Sequence, residues 1–371
     1  MAEPIPFERL HEHVRERGRL ADPPDVALIQ RHYVAGFEPQ FQQRALGVAR
    51  DAVSGEEGIK VFWVDVEVAR RRLGAHAFPP GVEGTEVPVE RDVLPEDDHA
   101  DVLTGFLPDH LALRPFPDRL DPRLRVAQRF SDVVGDDLRW ATTVFAPDDR
   151  YTFSDTSFPW CTSGRVDTAG GSASGVMVGP RHLLTCSHAI QWIAEPDPHV
   201  AGWVQFRPSY FDASAPFGEA WGAHVYWQQQ VTPPTIDGTE DEFDYVVVVL
   251  DRRMGDLTGW MGSRTYDDGW DGGNYWSHIG YPGDLASFSR PSFQGNFSLN
   301  GDDTQPAEHQ AMYHTGDVWP GQSGGPMFGW WEGEPWPRAV AVQSWQNAST
   351  NGASGGSNLV DLIIRARSDF P

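Results

Sequence analysis

From Thr143 to its C-terminus the chain breaks into short β-type runs, each fenced by Gly, Pro, Asp or Ser, and that rhythm admits few folds. A first group comprises Gly175–Val178, His182–Thr185, Gly202–Phe206, Ala223–Gln228 and Asp244–Leu250. A second comprises Tyr275–Ile279, Phe293–Leu299, Gln310–His314, Pro326–Trp330, Ala339–Ser344 and Leu359–Ile364. Many short strands with turns and no intervening helices form a sandwich or a pair of barrels. The expected class is therefore mainly β, and a site shared by the two groups would lie in the cleft between them.

What precedes Thr143 has a different texture. Phe7, Leu10 and Val14, then Val26, Ile29 and Tyr33, recur at helical spacing, with a second helix expected from about Phe41 to Val53. Ile59–Val68 alternates like a strand, residues 79–122 are dense in Pro and acidic groups and read as loop, and Leu124–Trp140 is again apolar-periodic. This N-terminal α/β segment carries no recognisable chemistry. His11 and His13 lack the further ligands a metal site needs and read as surface histidines.

A chain of 371 residues exceeds one ordinary domain. Its formal charge is −24, which argues against nucleic acid and anionic membrane surfaces as partners. With two cysteines, Cys161 and Cys186, it is no disulfide scaffold, and a bridge between them stays open. The start Met1-Ala2-Glu3-Pro4-Ile5-Pro6 lacks a cationic flank leading into an apolar core, so no signal peptide is expected and the reading leans to the cytoplasm.

Chemistry concentrates in Gly321-Gln322-Ser323-Gly324-Gly325-Pro326. Glycines around a serine let backbone N–H groups crowd toward the carbonyl its hydroxyl attacks, which is how an oxyanion hole is built. A serine needs a base and an orienting acid. Upstream, Thr185-Cys186-Ser187-His188 follows one apolar run and Phe243-Asp244-Tyr245 opens another. Taken singly, these are a core histidine, a strand-end carboxylate and a turn serine. Together, in the order His188, Asp244, Ser323, they match a chymotrypsin-type triad.

At these residues the sequence resembles the trypsin/chymotrypsin-fold serine proteases, and more narrowly the bacterial glutamyl endopeptidases. Asp149-Arg150, Asp155-Thr156 and Pro159-Trp160 are similar to the start of that group's mature domain. Gly164-Arg165-Val166 and Gly175-Val176-Met177-Val178-Gly179-Pro180 resemble the approach to its histidine, and Gly280-Tyr281-Pro282-Gly283-Asp284 one of its turns. The resemblance spans residues 143–371. It implies two antiparallel six-stranded β-barrels, about 143–255 and 256–371, with the active site between them. Residues 1–142 would then be a pro-segment or accessory region, able to recruit a protein partner.

The resemblance makes Ser323 the nucleophile, His188 the general base and Asp244 its orienting acid, with the N–H groups of Gly321 and Ser323 as the oxyanion hole. It implies polypeptide substrates and no metal or organic cofactor. Three departures qualify it. Gln322 stands where trypsin-like zymogens carry the aspartate that pairs with a freed N-terminal amine, an aspartate that the glutamyl branch also lacks. Ser174 and Ala189 stand where the family often has cysteines, leaving Cys186 as a small packed residue at a strand end. The threonine and histidine that help bind a glutamate substrate become Val318 and Gln343, so strict glutamate preference is not expected. Asp317 occupies the position that gives trypsin its taste for Arg and Lys, although bonding backbone in its own loop is an equal use for it. Ser344-Trp345 resembles the segment that pairs with substrate backbone. Cleavage near Thr143 or Val144 would free an amine able to supply part of the missing positive charge. Two alternatives stand beside an endopeptidase with acidic or broad preference: an Arg/Lys protease, and a non-catalytic binding module on this fold.

Overall fold

The computed structural model describes residues 2–18, 60–63, 102–120, 144–145, 147–193, 200–232, 236, 238–346 and 349–371. The expected helix over 41–53 and the periodic piece 124–140 lie outside the described residues, as does most of the loop expected over 79–122.

In chain order the first strands are β1 (Lys60–Trp63), β2 (Val102–Leu103), β3 (Tyr151–Thr152), β4 (Ser163–Thr168), β5 (Gly171–Gly179) and β6 (His182–Thr185). They are followed by β7 (Trp192–Ile193), β8 (Val200–Ala201), β9 (Val204–Pro208), β10 (Ala220–Trp227) and β11 (Val246–Leu250). Six of them, β10-β11-β6-β5-β4-β9, close into an antiparallel barrel through Ala220↔Phe206 and Trp221↔Gln205, and β1 adds to the far end of β10. In β11 the run Val246–Leu250 is buried at every position. Val246, Val248 and Leu250 join the barrel core, while Val247 and Val249 pack in a second cluster with Leu359, Val360, Leu362 and Ile363 of the C-terminal helix. A strand covered on both faces has no reason to alternate.

The remaining strands are β12 (Gly262–Arg264), β13 (Trp276–Gly280), β14 (Ser292–Phe297), β15 (Leu299–Gly301), β16 (Gln310–His314), β17 (Pro326–Gly329), β18 (Arg338–Gln346) and β19 (Asn351–Gly355). They make one curled sheet ordered β15-β16-β19-β18-β17-β13-β14-β3, with β12 beside β18 and β2 beside β12. This is where the expectation of two six-stranded barrels is met only in part. The first is a closed barrel; the second is a half-barrel sheet whose β14 and β15 are broken apart at Ser298, two residues past Asn296 at φ +68°. Trp270, Trp276, Met312, Met327 and Trp331 form one buried cluster against it.

One expected strand is a helix. Residues 359–364 lie within the helix Ser357–Asp369. Leu359, Val360, Leu362, Ile363 and Ala366 are its buried positions, spaced as one helical face. Their aliphatic run reads as a strand only when Ala366 is left out. Conversely, Asn351–Gly355 is a fully buried strand with a loop-like sequence. Its glycines are needed there: a Cβ on Gly352 would meet the Trp345 ring at 2.1 Å. The pairing strands β16 and β18 impose the conformation, not the residues' own propensity.

The described N-terminal residues are part of this core. Ile5, Leu10, Val14, Leu111 and Leu113 are buried in the barrel cluster and Leu103 in the one beside the helix. Backbone bonds Ile5 N–H to Trp330 O (2.7 Å) and Phe7 N–H to Asn274 O (2.9 Å) tie the first residues to the second sheet.

Candidate active site

The register of the first barrel brings His188 and Asp244 together. Val246 pairs with Thr185 across β11 and β6, so a residue three past Thr185 and one two before Val246 become neighbours. Single 3-10 turns at Asp241–Phe243 and Ser187–Ala189 aim the two side chains at each other. Asp244 is fully buried; the His188 side chain keeps 17% exposure. The ring Nδ1 lies 2.6 Å from Asp244 Oδ2, and the His188 backbone N–H donates to Oδ1 at 2.8 Å. Ser344 Oγ, from β18 of the other sheet, donates to Oδ2 at 2.5 Å. A carboxylate with three donors holds the ring in the Nδ1–H tautomer and leaves Nε2 as the acceptor. Burial works against a charged imidazole, yet the Asp244 carboxylate outweighs it, with a smaller push from Cys186, and lifts the His188 pKa well above the usual value. Burial likewise opposes ionised Asp244, but His188 and the hydrogen bonds win and hold its pKa down.

The loop carrying Ser323 follows β16. Gly321 and Gly324 have φ of +102° and +78°, a region that disfavours side chains. Contact forbids them as well: a Cβ on Gly321 would meet Tyr281 O at 2.3 Å, and one on Gly324 would meet Thr185 Oγ1 at 2.2 Å and Cys186 N at 2.8 Å. That close approach seats Ser323 beside the turn carrying His188. Ser174 fixes the loop from below, its N–H donating to Ser323 O (2.8 Å) and its Oγ to Gly321 O (2.7 Å) while accepting from Tyr281 N–H (2.8 Å). Among the described residues the N–H groups of Gly321 and Ser323 form no hydrogen bond, and Ser323 Oγ makes none to His188. His188 Nε2 lies 3.7 Å from Cys186 Sγ, a thiol whose pKa burial raises. Both cysteines are buried and free, so the bridge left open by the sequence is not formed.

The residues expected to bind substrate have other partners in the structure. Asp317 is spent on backbone: Oδ1 accepts from Phe145 N–H (2.6 Å), and Oδ2 accepts from Asp149 N–H (3.0 Å) and Gln294 Nε2 (3.1 Å). Val318 and Gln343 are buried. Gln343 Oε1 accepts from His314 Nε2–H at 2.9 Å, and Gln343 Nε2 donates to Trp345 O at 2.9 Å. Burial lowers the His314 pKa to about 4 and that of His278 to about 3, so both imidazoles are neutral near pH 7. Trp345 packs edge-on against Tyr313.

Cys186, His188 and Asp244 present ligand atoms within 4.8 Å of one another. Both carboxylate oxygens are already taken by His188 and Ser344, so as metal ligands they would have to dismantle those bonds. Three supporting groups escape sequence reasoning. Ser344 reads as a substrate-pairing residue yet also bonds Asp244; Ser174 reads only as a missing cysteine; Arg150 reads only as half of a matching dipeptide. Nothing local marks them, because their partners lie 100, 147 and 172 residues away.

No protein-family model matches the chain. It is related in sequence to glutamyl endopeptidase of Bacillus licheniformis, 24% identical over 220 residues, which is 58% of this chain and 63% of that protein's length. Among solved structures, a Glu endopeptidase in complex with MPD matches at 21% identity and a TM-score of 0.49, covering 61% of this chain and all of that one. The protease Anisep from Arthrobacter nicotinovorans matches at 20% identity and a TM-score of 0.43, over 58% of this chain and 98% of its own. The relationship agrees with the motifs from which the resemblance was read.

Proposed function

We propose that the protein is a serine endopeptidase acting through an acyl-enzyme. The observation that carries the reading is His188 held by Asp244, itself bonded by Ser344, in a fold that also brings up a glycine-framed serine with two N–H groups unpaired among the described residues. Ser323 Oγ attacks the scissile carbonyl as His188 Nε2 takes its proton. The N–H groups of Gly321 and Ser323 receive the oxyanion. His188 then protonates the leaving amine, and water repeats the sequence to release the acid. The Ser323–His188 hydrogen bond forms as Nε2 turns from Cys186 to Ser323 on substrate binding, since such bonds tighten in the Michaelis complex.

The surroundings favour broad over charge-selective preference. Asp317 has no free oxygen for a cationic side chain, and Val318, Gln343 and neutral His314 offer no charge to a glutamate. Peptides differing only in the residue before the cut test this: comparable kcat/KM across small neutral residues is expected, and a preference above about 100-fold for Glu or for Arg would overturn it.

The raised His188 pKa has a signed consequence. The base works only when neutral, so the acidic limb of kcat/KM is expected above pH 6.5, and Asp244→Asn should lower it along with the rate by about 10^4-fold. The same pairing stabilises the fold fully below pH 6.5 and is lost as pH rises through the folded value. A pH–rate profile checks the limb; one at or below 6.5 contradicts the assignment. The contact of Nε2 with Cys186 favours one second reading, a non-catalytic binding module, which a Ser323→Ala protein with full biological effect would support.

A further inference from the structure

The turn bearing Ser323 is clamped to the chain by one buried cation, whose five N–H donors are all used. The Arg150 side chain has no exposure. Its Nε and Nη2 donate to the Asp148 carboxylate at 3.0 Å each, its Nη1 and Nη2 to Asp284 at 3.3 and 2.6 Å, and its Nη1 to Gln322 Oε1 at 2.8 Å. Gln322 Oε1 also accepts from Trp319 N–H at 2.9 Å, closing the turn that presents the Gly321 and Ser323 amides. Gln322 packs its side chain so tightly on Gly280 that a Cβ there would meet Cγ at 2.7 Å. Asp317 grips the same segment from its other side through the amides of Phe145 and Asp149.

We propose that Arg150 is the positioning residue that holds the oxyanion turn in its working arrangement within the uncleaved chain, so that no freed N-terminal amine is required. This rests on the endopeptidase reading above. The choice of Gln322 follows from charge. One guanidinium already balances part of two carboxylates, and a third acid at position 322 would leave excess negative charge buried. An amide supplies the acceptor without the charge, and because arginine only donates, Oε1 must face it, leaving Gln322 Nε2 buried without a partner among the described residues. Arginine suits the site because a lysine ammonium cannot reach both carboxylates and the amide with a planar fork.

A permanently charged clamp also predicts a pH signature. The groups facing Arg150 are Asp148, Asp284 and Gln322, with Asp317 and His278 close enough to feel its charge. His278 is neutral, and burial pushes the Asp284 carboxyl up against the opposing pull of Arg150. The Arg150 guanidinium keeps its charge from pH 8 to 10, whereas a clamping α-amine, with its ordinary pKa near 7.7–8.0, would lose its own.

The test uses the full chain, its intact mass verified, and reads the labelling rate of Ser323 by a fluorophosphonate from pH 6 to 10.5. The wild type should label without cleavage and show no alkaline fall up to pH 10. Arg150→Gln should label about 10^2–10^3-fold more slowly, as for lost oxyanion donors, and Arg150→Lys should recover part of the rate. An intact chain that is inert until trimmed near Thr143 and then declines above pH 8 overturns the proposal, as does a folded Arg150→Gln labelling at the wild-type rate. Should Arg150→Gln not fold, the wild-type profile decides alone. A wild type that stays unlabelled, trimmed or not, overturns the endopeptidase reading and the clamp with it.

Discussion

Ser323→Ala is expected to lower kcat by about 10^6-fold while shifting stability by no more than about 0.5 kcal/mol. The two halves of that expectation have different sources. The rate falls because the nucleophile is gone and His188 and Asp244 cannot act without it, since the three work as a unit. Stability barely changes because Ser323 Oγ forms no hydrogen bond among the described residues and is partly exposed, so alanine leaves no buried polar group unpaired. What holds the loop is elsewhere: Ser174, Arg150 and the glycine dihedrals. Peptide hydrolysis and thermal melting of the same preparation check both halves. A melt lowered by several degrees would mean that the serine is structural.

Removing residues 1–142 should cost the fold itself. Ile5, Leu10, Val14, Leu103, Leu111 and Leu113 are each buried in the clusters shared with both sheets. A buried aliphatic side chain is worth about 1.5–3 kcal/mol. Six of them are comparable with the whole ~5–15 kcal/mol that keeps a domain folded. Deletion would also leave β12 without β2, and Trp330 O without the Ile5 N–H. A chain beginning near Thr143 is therefore expected to be insoluble when expressed alone. Cleavage of the folded protein at that point should leave two pieces that co-elute under native conditions and separate only in denaturant. A soluble, monodisperse fragment from Thr143 onward would show instead that these contacts are dispensable, as for a removable pro-segment.

The parts of this site that the sequence makes legible are those encoded by short spacing. Thr185 to His188 and Asp244 to Val246 each join a proposed catalytic residue to an apolar strand, and Gly321–Pro326 carries its conformational demands in its own glycines. The strands that alternate or run apolar are equally readable, as Val246–Leu250 shows. Where pairing partners rather than residues dictate the backbone, the pattern misleads. Asn351–Gly355 is a strand because β16 and β18 flank it, and Leu359–Ile364 belongs to a helix because β11 and the barrel cover one helical face. Long-range polar ties are invisible for a related reason. The Arg150–Gln322 and Ser344–Asp244 bonds depend on the fold to bring distant segments together, and neither residue type is unusual where it stands.

The most direct measurement is the mass of the full-length chain before and after a fluorophosphonate, with the adduct located by peptide mapping and Ser323→Ala as control. One adduct, confined to Ser323 and absent from Ser323→Ala, is the predicted result. A folded wild-type chain without an adduct, or an adduct that survives in Ser323→Ala, would contradict the assignment of Ser323 as an activated nucleophile.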